Sequence, residues 1–261
     1  MSQTVPSSAL GTPTLYSYVV RYDDGAAPNP YWGTCTLVIC KPAIRRKARK
    51  GDWIVGLGSK ANPTKDDYSG KIVYVMKVTK VMTMEEYDRY TRTKLRDKIP
   101  IVAGGNQPPH NSKEWRSRLG DSIYNFSEKG APQRLGVHRR KNRRTDLSGK
   151  RALLSKEFVY FGDQAIPLPP SLKGILHQNQ GHRSNLNAHH LPAFLRWWGT
   201  NRSEFARNRV RGVPQWDVFA DEKNLARCAS VHMREAEQDN RLYPESSQRL
   251  KKSKDRDSRM S

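Results

Sequence analysis

The run Lys71-Ile72-Val73-Tyr74-Val75-Met76-Lys77-Val78-Thr79-Lys80-Val81 is built from β-branched and aromatic residues that favour a pleated, half-buried strand. Ile72, Tyr74, Met76 and Val78 alternate with Lys71, Val73, Val75, Lys77 and Thr79, so one side reads as core and the other as at least partly wet. A strand of this kind needs neighbours. Further β-prone runs supply them at Leu15 to Tyr22, Thr34 to Cys40, Trp53 to Ser59 and Ala152 to Gly162. Two helices are placed among them. Pro42 to Lys50 reads as a short basic helix with Pro in its first turn, stopped by Gly51-Asp52. A second opens at Met82 to Tyr87 and runs to about Leu95, with Thr83 as N-cap and Glu86 at the capping-box position. Strands and helices do not alternate as βαβ units, so the class is α+β, a small mixed or antiparallel β-barrel with flanking helices.

Residues 1–14, rich in Ser, Thr and Pro, read as a flexible lead-in to a body spanning 15–190. Within that body, 127–151 is nearly free of apolar residues and reads as a mobile basic loop or arm. A helical extension over 191–234 follows, where Leu191, Phe194, Leu195, Trp197 and Trp198 have helix-like spacing and should dock on the core. From 235 to 261 the chain is charged and poor in large apolar residues, the composition of a disordered basic tail.

Charge narrows the partners. Lys and Arg number 47 against 25 Asp and Glu, a formal net charge of +22. A compact body with that excess repels itself unless a polyanion compensates, and the commonest polyanions are nucleic acid and anionic membrane, with acidic proteins third. The phosphate contacts are expected from Arg45 and Arg46 and from the dense run Arg139, Arg140, Lys141, Arg143 and Arg144, with Arg183 beside a base site. No uninterrupted apolar stretch approaches the roughly 18 residues of a spanning helix, which disfavours insertion, and the apolar patch from Leu191 to Trp198 is short for a membrane surface, so no membrane partner is expected. The three cysteines form an odd, sparse set that fits a reducing, cytoplasmic setting. Oligomeric state is not legible.

The block from Ile44 through Gly51-Asp52-Trp53-Ile54-Val55-Gly56-Leu57-Gly58-Ser59 runs from a basic helix through a tight turn into a strand whose end is opened by glycines. Gly56 and Gly58 would let a flat ligand approach the backbone, Ser59 and Asp52 would supply short polar groups, and Trp53 would offer a stacking face or a core anchor. The loop Asp23 to Pro30 adds Asp24 and Asn29, either as hydrogen-bonding groups of the same pocket or as turn chemistry. His182, in Gly181-His182-Arg183, could reach a phosphate or a base edge. No third glycine completes a dinucleotide fingerprint and no phosphate loop is present, so no cofactor is expected. Cys35 and Cys40, with His177, His182, His189 and His190, allow a zinc site to be drawn. The two cysteines have opposite parity on one expected strand, so no metal is expected. A cysteine with a histidine partner is conceivable as a nucleophile, but no Gly-x-Ser-x-Gly elbow or cysteine signature marks it.

Several stretches together resemble the nucleotide modification associated domain 2 family: Asp24 to Pro30 with Gly33 to Leu37, Cys40 to Arg45, Gly51 to Ser59, Gly120 to Tyr124, Leu154 to Gly162, and Gly181 to Arg183. The resemblance spans roughly residues 15–190 and implies a bacterial or phage protein that works with systems modifying DNA bases. The Gly-Asp turn into an apolar strand also resembles PUA-like domains of the EVE and ASCH type, which implies a PUA-like barrel cradling a flipped or modified base. The expectation is a DNA-binding protein that recognises a modified base in a small pocket, DNA being favoured over RNA, with base-modification enzymes as candidate partners. An enzyme that itself alters a nucleotide or base, drawing on Asp24, Asn29, Asp52, Ser59 and His182, is the alternative. An RNA-associated structural protein is the third.

Overall fold

The computed structural model describes residues 11–101, 107–176 and 181–242. In chain order the strands are β1 (Leu15–Val19), β2 (Cys35–Leu37), β3 (Trp53–Leu57), β4 (Lys71–Lys77), β5 (Lys80–Thr83), β6 (Arg151–Ser155), β7 (Glu157–Tyr160), β8 (Ile166–Pro167) and β9 (His182–Arg183). The α-helices are α1 (Pro42–Lys47), α2 (Met84–Lys94), α3 (Lys113–Ser117), α4 (Arg143–Ser148), α5 (Leu191–Arg207) and α6 (Glu222–Leu242). The fold is α+β, as the order of elements implies.

It is not a closed barrel. A six-stranded sheet runs β7-β4-β3-β1-β9, with β8 also on β4, and a separate three-stranded sheet runs β2-β6-β5. The first is mixed, because β1 lies parallel to β3 while the other pairs are antiparallel. Two of the long expected strands are each divided between the sheets. The run from Lys71 leaves the first sheet after Lys77, where the Val78 amide donates to the Asp52 carbonyl at 2.7 Å and the Thr79 amide to Leu154 at 2.9 Å, and re-enters as β5 in the second. The run from Ala152 breaks at Lys156, and the Ser155 hydroxyl holds the corner by accepting from the Glu157 amide at 3.1 Å. Strands that bend from one sheet to another make corners between sheets, whereas a barrel needs pairing that closes on itself.

Both faces of the larger sheet are covered, so β4 has no wet side. On one face Trp53, Val55, Leu57, Ile72, Val75 and Val159 pack with Leu172, Ile175, Phe194, Trp198 and Phe205 from the 170–175 turn and α5. On the other, Tyr18, Ile54, Tyr74, Met76 and Tyr160 join the core shared with the second sheet, α1 and α2. The α2 cap is as the spacing predicts: the Glu86 amide donates to Thr83 Oγ1 at 3.1 Å and the Thr83 amide to Glu86 Oε2 at 2.8 Å.

Two expectations about loose segments are corrected. Within 127–151, residues Arg140–Asn142 form a 3₁₀ turn and Arg143–Ser148 form α4, with His138, Asn142, Thr145 and Asp146 buried. Lys129, Arg139, Arg140, Lys141 and Arg144 are exposed, while Arg134 and Arg143 turn inward and are partly buried, so the basic composition hid an anchored inner face. The charged tail from 235 is helical as far as Leu242, where α6 ends, and 243–261 lies outside the described residues. α6 itself rests against α1, the 140–142 turn and α4. Among the described residues no helix is long and apolar enough to cross a membrane.

Candidate functional site

Strand register assembles one polar row across the larger sheet. Tyr18 stands opposite Gly56, Gly56 opposite Tyr74, Tyr74 opposite Tyr160, and Tyr18 also opposite His182. Directly paired residues share a face, so His182, Tyr18, Tyr74 and Tyr160 point the same way. Gly56 has no side chain to interrupt them. A Cβ there would enter the Tyr74 ring and meet Val20. The two phenols on either side of it, Tyr18 and Tyr74, hydrogen-bond at 2.8 Å, and Tyr160 donates to Asp23 Oδ2 at 2.7 Å. Burial pushes the Asp23 carboxyl up to about 7 despite the Tyr160 bond, which favours its charged form.

A second constellation lies beyond the loop that follows β2. Cys40 and Lys41 adopt left-handed backbone, with φ of 61° and 39°, immediately before α1. The Cys40 thiol is 3.4 Å from His138 Nε2, and His138 Nδ1 is 2.7 Å from Asp146 Oδ2. Tyr124 donates its hydroxyl to the same Asp146 oxygen at 2.8 Å, and the Cys40 amide reaches the other at 3.4 Å. Beneath them, Arg45 is fully buried and donates to the carbonyls of Cys40 at 2.8 Å, Arg151 at 2.9 Å, and Asp146. Burial acts to raise the Asp146 pKa, but His138, Arg45 and Tyr124 outweigh it and hold the carboxyl below the ordinary carboxylate value. The arrangement is a thiol, an imidazole and an ionised carboxylate in line.

Beside His138 opens a cavity of about 490 Å³ lined by Gln133, Leu135, His138, Arg139, Arg140 and Arg143 among others. Arg143 is committed, donating to the carbonyls of Ala131 at 2.5 Å and Gly130 at 2.6 Å and lying over the Tyr124 ring. Arg139 and Arg140 are exposed and make no ion pair among the described residues. Leu135, 65% exposed, adds an apolar edge. A further cavity of about 460 Å³ lies between Tyr31, Trp32 and Arg116 on one side and Arg209 and Arg211 on the other.

The residues expected to form a base pocket are not gathered into one. Trp53 is core, packed edge-on against Phe194 and Trp198, because strand parity turns it to the face opposite Gly56. The space at Gly56 is taken by Tyr74 and at Gly58 by Tyr68. Ser59 and Asp24 organise turns, accepting from the amides of Ala61 at 3.0 Å and Ala26 at 2.9 Å. Asp52 accepts from Thr14 at 2.8 Å and Arg49 at 2.7 Å, tying the lead-in to the Gly-Asp turn. Asn29 belongs to a buried network in which Lys98 donates to its Oδ1 at 2.8 Å and to Thr36 at 2.9 Å, while Thr36 and Tyr87 donate to Asp121. His182 is buried in β9 against Tyr16. Arg183 binds the Leu176 carbonyl at 2.7 Å.

Of the expected phosphate contacts, Arg45 is corrected, since its guanidinium is spent on backbone carbonyls in the interior. Arg46 is half-buried and donates to Ser148 at 3.1 Å, and Lys141 reaches Ser230 at 2.5 Å. Arg139, Arg140 and Arg144 remain exposed. The parity argument on Cys35 and Cys40 falls away because β2 ends at Leu37; Cys40 sits in a turn, and His177 lies outside the described residues. Cys40 lies 98 residues from His138 and 106 from Asp146 in sequence and meets them only in the fold, so no local pattern marks the three as a unit.

The family model for nucleotide modification associated domain 2 matches residues 12–216. That stretch covers β1 to β9, both sheets and both cavities, so the chain belongs to this family. Neither a curated protein nor a solved structure matches it.

Proposed function

We propose, from the chain's membership of the nucleotide modification associated domain 2 family, that the protein binds DNA in connection with base modification and holds it at the arginine-lined cavity beside His138. The carrying observation is the pairing of two exposed guanidiniums, Arg139 and Arg140, with an apolar edge at Leu135 around one concavity of about 490 Å³. Guanidinium forks match phosphate oxygens, and their planes stack on bases. The net charge of +22 supplies the long-range attraction. The Gly51-Asp52 turn leading into β3 supports a distant kinship to PUA-like base-cradling domains.

Fluorescence anisotropy of a labelled duplex, titrated between 50 and 300 mM salt, tests the reading. Each phosphate contact adds about 0.9 to the slope of log affinity against log salt, so Arg139→Ala with Arg140→Ala should lower that slope by about 1.8. A duplex carrying modified bases should bind more tightly than its unmodified form. An unchanged slope in the double variant removes the cavity as the phosphate site, and equal affinity for RNA of the same sequence removes the preference for DNA.

A further inference from the structure

We propose that Cys40, His138 and Asp146 form a nucleophilic catalytic centre acting on a carbonyl or amidine-type carbon that bears a leaving nitrogen or oxygen. The inference goes beyond the nucleotide-binding reading and does not depend on it. Nucleophilic thiol chemistry needs a thiol, a base within reach of its proton, and a third group that fixes the base's orientation. Here His138 Nε2 faces Sγ at 3.4 Å, inside the usual limit for a hydrogen bond to sulfur, and Nδ1 is anchored on Asp146 at 2.7 Å. Asp146 is in turn held by Tyr124, so the imidazole cannot turn away without breaking a buried chain of bonds.

Three features separate this from a thiol that merely fills space. Cys35, on β2, is wholly buried, and burial pushes its thiol up to about 12. Cys40 keeps 7% of its surface exposed and has the imidazole beside it. The backbone at Cys40 and Lys41 is left-handed at two consecutive residues with side chains, a conformation held only where the surroundings enforce it. Arg45 enforces it from below by binding the Cys40 carbonyl. The tie also reaches across the chain, from the turn before α1 to the segment before and within α4, which keeps the thiol and its base on two separately anchored elements.

In the first step the Cys40 proton passes to His138 Nε2 as Sγ bonds to the electrophilic carbon. The bond from that carbon to its leaving nitrogen or oxygen then breaks, and the leaving group takes the proton from His138. Water, losing a proton to the same imidazole, adds to the thioester-type carbon; the carbon–sulfur bond breaks and the proton returns to Cys40. The net change is hydrolysis.

The test uses the full chain without nucleic acid, so its outcome is independent of DNA binding. Iodoacetamide alkylation of each cysteine is followed by peptide mass spectrometry from pH 5 to 9. Cys40 should react at pH 6.5 about tenfold or more faster than Cys35, with a rate midpoint below the ordinary thiol value of about 8.5. His138→Gln should slow it by about tenfold at that pH and move the midpoint upward. Tyr124→Phe, which leaves the His138–Asp146 bond in place and frees that carboxylate oxygen of a competing donor, should favour the imidazolium and move the midpoint slightly downward. A wild-type midpoint at or above that of an ordinary thiol, absence of Cys40 alkylation, or an unchanged profile in His138→Gln overturns the proposal. If His138→Gln does not fold, the wild-type and Tyr124→Phe profiles decide it.

Discussion

Asp23 shows what a single buried group does to the whole molecule. Its carboxyl accepts from Tyr160 within a row of phenols and has a pKa raised to about 7 by burial. The folded chain therefore holds this proton where the unfolded chain, with an ordinary aspartate, has lost it. Stability from Asp23 is fully present below about pH 4 and declines as pH rises towards 7. At roughly 1.36 kcal/mol per unit, the change is at most about 4 kcal/mol over that window. Asp23→Asn keeps an acceptor for Tyr160 and cannot ionise. Urea denaturation at pH 5 and pH 8 should show the variant gaining on the wild type at the higher pH. A stability difference independent of pH would mean that Asp23 is ionised throughout. Elsewhere burial acts on a base instead, drawing Lys98 down to about 8 where it bonds Asn29 and Thr36.

Among the elements, β3 carries the most information per residue. Trp53, Val55 and Leu57 anchor α5, while Ile54 and Gly56 face the other core, so one short strand holds the two layers together. Gly56→Ala would push a methyl into the Tyr74 ring at the centre of the polar row. Overpacking of this kind typically costs about 1–3 kcal/mol. Combining it with Tyr74→Ala, which empties the space, should cost less than the sum of the two single changes in chemical denaturation. Additive losses would show that the ring does not fill the gap. Much at this scale was legible beforehand: alternation found β4, and Thr83 with Glu86 found the start of α2. The division of long strands between two sheets was not, since a run of β-formers carries no mark where pairing partners change. Nor was the Gly-x-Gly opening, because a glycine left empty for a ligand and one filled by a tyrosine look alike in sequence. Arg45 misled for a related reason: its charge reads as surface, and only the fold shows three carbonyls converging on it. Cys40, His138 and Asp146 come together through tertiary contacts that leave no local pattern.

Taken as a whole, the molecule carries an excess of positive charge that its own ion pairs do not absorb. The +22 charge repels itself in the compact state more than in the expanded chain, so a polyanion that binds the folded form should stabilise it. Duplex DNA at 100 times its dissociation constant would add about 2.7 kcal/mol. For a chain of this length that corresponds to a rise in Tm of roughly 5–10 °C. The effect should shrink steeply with salt, because released counterions drive the binding. Thermal unfolding with and without a short duplex, at 50 mM and 500 mM salt, checks this, with a neutral polymer as the control for excluded volume. A shift that persists at high salt would place the stabilising contacts in base or apolar interactions. No shift at low salt would mean that the basic surface does not engage DNA in the folded state, and the arginine cavity would then lose its proposed ligand while the Cys40 relay stood untouched.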